Sequence, residues 1–188
     1  MDNRLFVISA ASGVGKTTLV NMVIKDFPDI KYSISATTRK PREGEIDGVH
    51  YFFKSREEFE QLIKENGLVE YNEVYGNYYG TPKSFVEKTL ADGNRVLFIL
   101  DVFGKVNFDK VYPEATGILI MPPSIEELER RLRARGTDSE EVIQLRLANA
   151  KKEIDFATTK GKYEYIVVND DLQKAADELR NILKVTKD

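Results

Sequence analysis

The 188-residue chain contains no cysteine. Disulfides, thiolate metal sites, iron–sulfur clusters and a thiol nucleophile are thereby excluded together. A single histidine, His50, excludes a multi-histidine metal site, and a serine–histidine–aspartate triad would have to run through that one residue. Long apolar runs are also missing. None approaches the ~18 residues of a membrane span. Nor do residues 1–7 carry a basic stretch leading into an apolar one, so a cytoplasmic chain, neither secreted nor membrane-bound, is expected. Neither sign of charge dominates: 28 Lys and Arg face 31 Asp and Glu, for a net charge of −3. That balance argues against a general nucleic-acid binder while allowing a local basic cleft. Internal repeats and low-complexity tracts are absent.

What is present is an ordinary soluble composition, 41% hydrophobic and 31% charged. At about 150 residues per domain, the length predicts one domain with room for an insertion. Leu5 to Ile8 is a short apolar run of β-formers, as in a strand buried on both faces of a parallel sheet. Residues 10–18 (AASGVGKTT) follow, and then Leu19, Val20, Val23, Ile24 and Phe27 recur at helical spacing until Pro28 stops the helix. Strand, glycine-bearing loop and helix in that order are the context of a phosphate-binding loop. Backbone N–H groups from Gly13 to Thr17 would point at phosphate oxygens, with Ala11, Ser12, Val14 and Thr18 completing the loop. Gly13 and Gly15 allow the chain to curl close to a ligand. Lys16 would neutralise the β- and γ-phosphates of a bound nucleotide, and the Thr17 hydroxyl would sit on Mg²⁺. Ala10 stands where such loops usually begin with glycine.

Further apolar runs at 96–100, 118–121 and 165–168 alternate with helical stripes at Phe59/Leu62/Ile63, Ile125/Leu128/Leu132 and Leu172 to Leu183. The alternation predicts an α/β fold, a parallel sheet with helices on both faces. Ser124, with Glu127 three residues later, reads as a capping box opening a helix. Residues 35–85 are rich in Gly, Arg and Tyr, with short strand-like pieces at 50–53 and 69–71, and read as a mixed subdomain inserted into the core. The remaining core is assigned to 1–34, 86–125 and 150–188. Residues 126–149, with arginines on either side of Gly136, read as a helical lid.

Residues 33–45 (SISATTRKPREGE), Asp47-Gly and Tyr51 resemble the substrate signature of guanylate kinases. Residues 76–81 (GNYYGT), 122–124 (PPS), 135–137 (RGT), Arg146-Leu147 and 168–171 (VNDD) resemble later blocks of the same family. The resemblance implies a phosphate-loop kinase core, a GMP-binding subdomain and a lid, and phosphoryl transfer from ATP to GMP, and to dGMP, with Mg²⁺. It implies small-molecule partners, with no nucleic acid and no membrane, and a monomer or a homodimer. At matching positions it implies that Ser35, Arg39, Arg42, Tyr51 and Tyr79 hold the GMP phosphate. Glu70, Thr81 and Asp101 are then the guanine readers, and Asn169 lies on the adenine side. Arg131, Arg135 and Arg146 become the phosphate-clamping arginines, catalytic together with Lys16 and Arg39.

The residue types suit these roles. A dianionic phosphate calls for cations and hydroxyls, and arginine supplies bidentate geometry. Guanine presents N1–H and an amino group side by side, and a carboxylate accepts from both. Phosphoryl transfer asks mainly for positioning and charge neutralisation, so no general base is needed. The chain departs from the family pattern at Ile99, where an acidic residue is usual, and at Phe103, where glutamine is usual. A related kinase with another acceptor, or a phosphopeptide-binding module on the same fold, are the alternative functions. The intact loop at Gly15, Lys16 and Thr17 argues against the second.

Overall fold

The first strand, β1 (Leu5–Ala10), is buried at every position, because both of its faces are covered. Phe6 and Ile8 enter one apolar layer with Leu19, Val20 and Leu179, and Leu5 and Val7 enter another with Val86 and Phe108. The computed structural model describes residues 4–74, 76–134, 136 and 138–184. Around β1 stand β2 (Ile30–Tyr32), β7 (Arg95–Ile99), β8 (Thr116–Met121) and β9 (Tyr165–Val168), in the order β2-β7-β1-β8-β9 with every neighbour parallel. All four apolar runs read from the sequence are strands of this sheet. The two neighbours of β1 come from much later in the chain. Its carboxyl end therefore opens at a point where connections leave in opposite directions, the usual ligand crevice of such sheets.

Helix α1 (Lys16–Val23) follows β1 directly and passes into a short 3₁₀ turn at Ile24–Asp26 before Pro28. On the core sheet also pack α3 (Lys83–Ala91), α4 (Val102–Phe108), α5 (Ile125–Ala134), α6 (Glu140–Lys160) and α7 (Leu172–Lys184). A second sheet, of order β4-β3-β6-β5, is built from β3 (Ala36–Thr37), β4 (Phe52–Phe53), β5 (Leu68–Val74) and β6 (Asn77–Pro82), with α2 (Arg56–Lys64) laid on it. Phe59 of α2 is fully buried and stacks on Tyr78 with centroids 5.1 Å apart.

Two local expectations are corrected. Of residues 50–53 only Phe52 and Phe53 lie in a strand; Tyr51 makes an isolated bridge with Asp47. The chain is still turning at His50, whose Nδ1 accepts from Ile46 N at 3.0 Å, after Gly48 at φ 74°. At Ser124 half of the expected capping box forms. Its Oγ accepts from Glu127 N at 3.1 Å, but the Glu127 carboxylate is turned to Arg130 and Arg131, each at 2.7 Å. The complete box is at Ser55 and Glu58, where α2 begins. Helix α6 runs unbroken through the boundary placed between residues 149 and 150.

Candidate active site

The loop between β1 and α1 depends on its glycines twice. Gly13 and Gly15 have φ of 86° and 93°, in the left-handed region. A Cβ on Gly15 would also lie 2.9 Å from Asn169 Nδ2, and one on Gly13 3.0 Å from a Leu132 methyl. Asn169, buried just after β9, donates from Nδ2 to the Val14 carbonyl at 2.8 Å and so braces the loop from behind. Residues 10–18 line a cavity of about 470 Å³. Because α1 begins at Lys16, the N–H groups of its first turn have no carbonyl partner inside the helix, the condition that suits an anion. Burial pulls the Lys16 ammonium below its ordinary pKa, opposed by the negative charges of Asp101 and Glu153. Thr17 and Thr18 are exposed at the mouth. Ser12 N donates to Glu153 Oε2, on α6, at 2.8 Å.

Asp101 joins this loop to a second recess. It follows β7 and caps α4, its Oδ1 accepting from Gly104 N at 2.6 Å. The recess, about 190 Å³, is lined by Ser35 ahead of β3, Glu70 of β5, Tyr79 of β6, Ile99 and Asp101 among others. Thr81, fully buried on β6, donates from its hydroxyl to Glu70 Oε1 at 2.9 Å. Burial raises the Glu70 pKa, partly offset by the Thr81 bond, and the Asp101 charge raises it further. Two carboxylates from different sheets thus face one small recess, and Ile99 forms part of its wall where the family pattern would place a third.

Arg39, Tyr51 and Tyr79 converge beside it. The Arg39 guanidinium lies 5.4 Å from the Tyr51 ring centre, and Tyr51 meets Tyr79 edge-on at 6.1 Å. Arg39 is already engaged. It donates through both terminal nitrogens to Glu45, at 2.9 and 2.8 Å, which holds the Glu45 carboxyl down at about 2. Glu45 also accepts from the backbone N–H of Arg42 at 2.7 Å, while Arg42 itself is exposed. Sequence reasoning quoted Glu45 within a motif without giving it a role. Its signal is the spacing, six residues beyond Arg39 across the turn at Gly44.

The remaining arginines stand on the other side of the phosphate loop. Arg131 of α5 donates to Glu127 at 2.7 Å and to the carbonyls of Asn169 and Asp170 at 2.6 and 3.1 Å. With Gly13, Val14, Gly15, Thr18 and Asn169 it lines a recess of about 210 Å³. Arg146 of α6 pairs with Asp138 at 3.3 Å. Arg135, like Thr137, lies outside the described residues. Arg130 and Arg133 make ion pairs with neighbouring glutamates on the surface, in keeping with a solvated face. Phe103 is half exposed and packs on Phe156 of α6 at 4.6 Å. Glu153 had no signal in the sequence, because its partner Ser12 lies 141 residues away.

Among the described residues no group of three or more His, Asp or Glu side chains could hold a metal ion. What the loop offers a cation is the Thr17 hydroxyl at its mouth, a set that fits an ion carried mainly by the oxygens of a bound polyphosphate.

The chain resembles known proteins over nearly its whole length. The sequence profile described as guanylate kinase matches residues 2–186. A guanylate kinase of Neisseria meningitidis serogroup A is 48% identical over 184 residues, 98% of this chain and 88% of that protein. One of Desulfitobacterium hafniense is 45% identical over 183 residues, 97% of this chain and 90% of that protein. Among solved structures, the guanylate kinase of Anaplasma phagocytophilum superposes with a TM-score of 0.69 at 35% identity, covering 97% of this chain and 85% of that one. Full-length identity at this level, together with a phosphate loop and a carboxylate recess meeting at Asp101, establishes that the chain belongs to the guanylate kinase family.

Proposed function

We propose that this enzyme transfers the γ-phosphoryl group of ATP to the phosphate of GMP, and of dGMP, giving ADP and the corresponding diphosphate. The observation that carries this reading is the position of Asp101. Its charge acts on Lys16 in the phosphate loop and on Glu70 in the recess, so the two binding regions are within electrostatic reach of one group. ATP phosphates lie in the cavity of residues 10–18, with the adenosine toward Arg131 and Asn169. Guanine enters the recess, where the Glu70 carboxylate accepts from its N1–H and amino group and Thr81 and Asp101 complete the reading of the base. Arg39, Arg42, Ser35, Tyr51 and Tyr79 hold the GMP phosphate, Arg39 exchanging the Glu45 carboxylate for a phosphate oxygen.

Residues 35–85 act as the acceptor-binding subdomain and 126–149 as the lid, with Arg131, Arg135 and Arg146 brought onto the transferring group. A GMP phosphate oxygen attacks the γ-phosphorus, the bond to the β–γ bridging oxygen breaks, and ADP departs. Lys16 stabilises the charge that develops on the β- and γ-oxygens. Mg²⁺, arriving with ATP beside Thr17, would supply charge neutralisation on the phosphate oxygens.

Coupled assay of ADP formation with GMP, dGMP, AMP, CMP and UMP tests the assignment. Turnover confined to the guanine nucleotides is expected. Equal turnover with another monophosphate would transfer the assignment to a different acceptor, and ATP binding with no turnover on any of them would point to a binding module. Lys16→Ala is expected to lower kcat about 10²- to 10³-fold while the Kd for GMP, measured by calorimetry, stays within about twofold, because the proposed GMP contacts other than Asp101 lie on the second sheet and the segment leading into it.

A further inference from the structure

The contact between Ser12 and Glu153 has a chemical oddity. A backbone N–H of the phosphate loop, a group suited to anions, already holds one, and that anion is a side chain of the protein's own helix α6. The helix approaches closely there because its inner face carries small residues, Ala150 and Ala157, both buried. Glu153 is one of the two carboxylates whose charge acts on Lys16. The loop is therefore partly neutralised by Glu153 at both its backbone and its lysine.

A triphosphate cannot share that arrangement. Ser12 N–H makes one good bond, and a carboxylate left beside a polyphosphate repels it. Seven residues before Glu153, hence on the same side of α6, lies Arg146, which in this structure is paired with Asp138. Displacing Glu153 releases a contact between the loop and the helix that carries this arginine.

We propose that Glu153 is an internal competitor of ATP: it occupies the phosphate loop while the loop is empty, and the arriving triphosphate expels it and frees α6 to move. This rests on the loop being the ATP site, as proposed above. The opposite role, a brace that the loop needs in order to bind, predicts the opposite sign.

Calorimetric titration with a non-hydrolysable ATP analogue, and with pyrophosphate, distinguishes them. Glu153→Gln is expected to bind the analogue about threefold to tenfold more tightly than the parent. Asp155→Asn, which removes the same charge from an exposed position two residues on, is expected to change the Kd less than twofold. Glu153→Asp keeps the charge but shortens the reach to Ser12 and is expected to bind more tightly by a smaller factor. It stands in for the glutamine variant should thermal melts show that variant unfolded. Unchanged or weaker binding by a folded Glu153 variant, or an equal gain in Asp155→Asn, overturns the proposal and leaves the ATP site intact. If the folded parent binds neither probe, the assignment of the ATP site falls and this proposal falls with it.

Discussion

Glu70 and Lys16 share a condition that ties stability to function: each holds its charge where burial disfavours it. The Glu70 carboxyl titrates above its ordinary 4.5, so the folded protein binds that proton more tightly than the unfolded chain. Stability from this group is complete below 4.5 and is lost as pH rises through the folded value. Lys16 titrates below its ordinary 10.5, so its cost is fully present below the folded value and is relieved as pH rises from there toward 10.5. Both costs are offset when a ligand of the right polarity arrives. Glu70→Gln is therefore expected to raise the Tm of the nucleotide-free protein at pH 7 and to leave it unchanged at pH 3, read by calorimetric melts. The same variant is expected to lose roughly 5- to 150-fold in kcat/KM for GMP, the cost of turning an amide NH₂ toward a guanine donor. Its kcat/KM should also lose the acid limb that the parent shows as Glu70 takes up its proton. Gly80 belongs to the same device. A Cβ there would stand 2.6 Å from the Glu70 carbonyl and 2.8 Å from Tyr71 Cβ. Gly80→Ala is expected to cost about 1–3 kcal/mol and to weaken GMP binding while leaving ATP binding unchanged, measured by melts and titration calorimetry.

Among the elements, those that announce themselves in sequence are the ones buried on a regular period. The strands β1, β7 and β8 are apolar runs because each is buried in the sheet interior, whereas β9, at the sheet edge, buries Val167 and leaves Ile166 and Val168 exposed. The stripes of α5 and α7 read cleanly because one face of each is wet. Strands β3 and β4 have two residues apiece, too few to show a period of two. The register of β5 on β6 shifts between Leu68 and Tyr71, which places Glu70 where alternation alone would have made it an exposed carboxylate. The candidate site was legible only in part for the same reason. The phosphate loop is contiguous and carries its chemistry locally, whereas Glu45 and Glu153 acquire roles through partners that only folding supplies. One short element tests how far these supports are separable. Ser55 closes the capping box of α2, and α2 carries Phe59 under Tyr78, next to Tyr79 on β6. Ser55→Ala is expected to cost about 1 kcal/mol, a fall in Tm of about 2–4 °C for a chain of this size. Turnover below that temperature should be unaffected, because the cap lies away from the recess.

Over the whole molecule, three of the arginines that the proposed mechanism assigns to phosphate are paired with carboxylates of the chain itself: Arg39 with Glu45, Arg131 with Glu127, Arg146 with Asp138. On the proposed reading each exchanges its carboxylate for a phosphate, and the three stand on different elements, Arg39 ahead of β4, Arg131 on α5 and Arg146 on α6. Small-angle scattering is therefore expected to show a smaller radius of gyration with an ATP–GMP bisubstrate analogue than with ATP or GMP alone. A curve unchanged by the analogue would mean that the cations close on the substrates without movement of the elements that carry them. The strand order has a consequence of another kind, in time. All pairings of the second sheet fall within residues 36–82. The first strand, by contrast, can complete its ladder only with residues 95–99 and 116–121. A ribosome delivers these in sequence. A strand that ends up buried at every position emerges first and waits through the synthesis of about ninety residues, several seconds or more at roughly 5–20 residues per second. During that wait, among the described residues, the second sheet has all its partners at hand; it is the one to which the proposed function assigns the acceptor nucleotide. A nascent chain of residues 1–92, held clear of the ribosomal tunnel by an unstructured C-terminal spacer, should thus protect the second sheet from proteolysis while leaving residues 5–10 open to a chaperone.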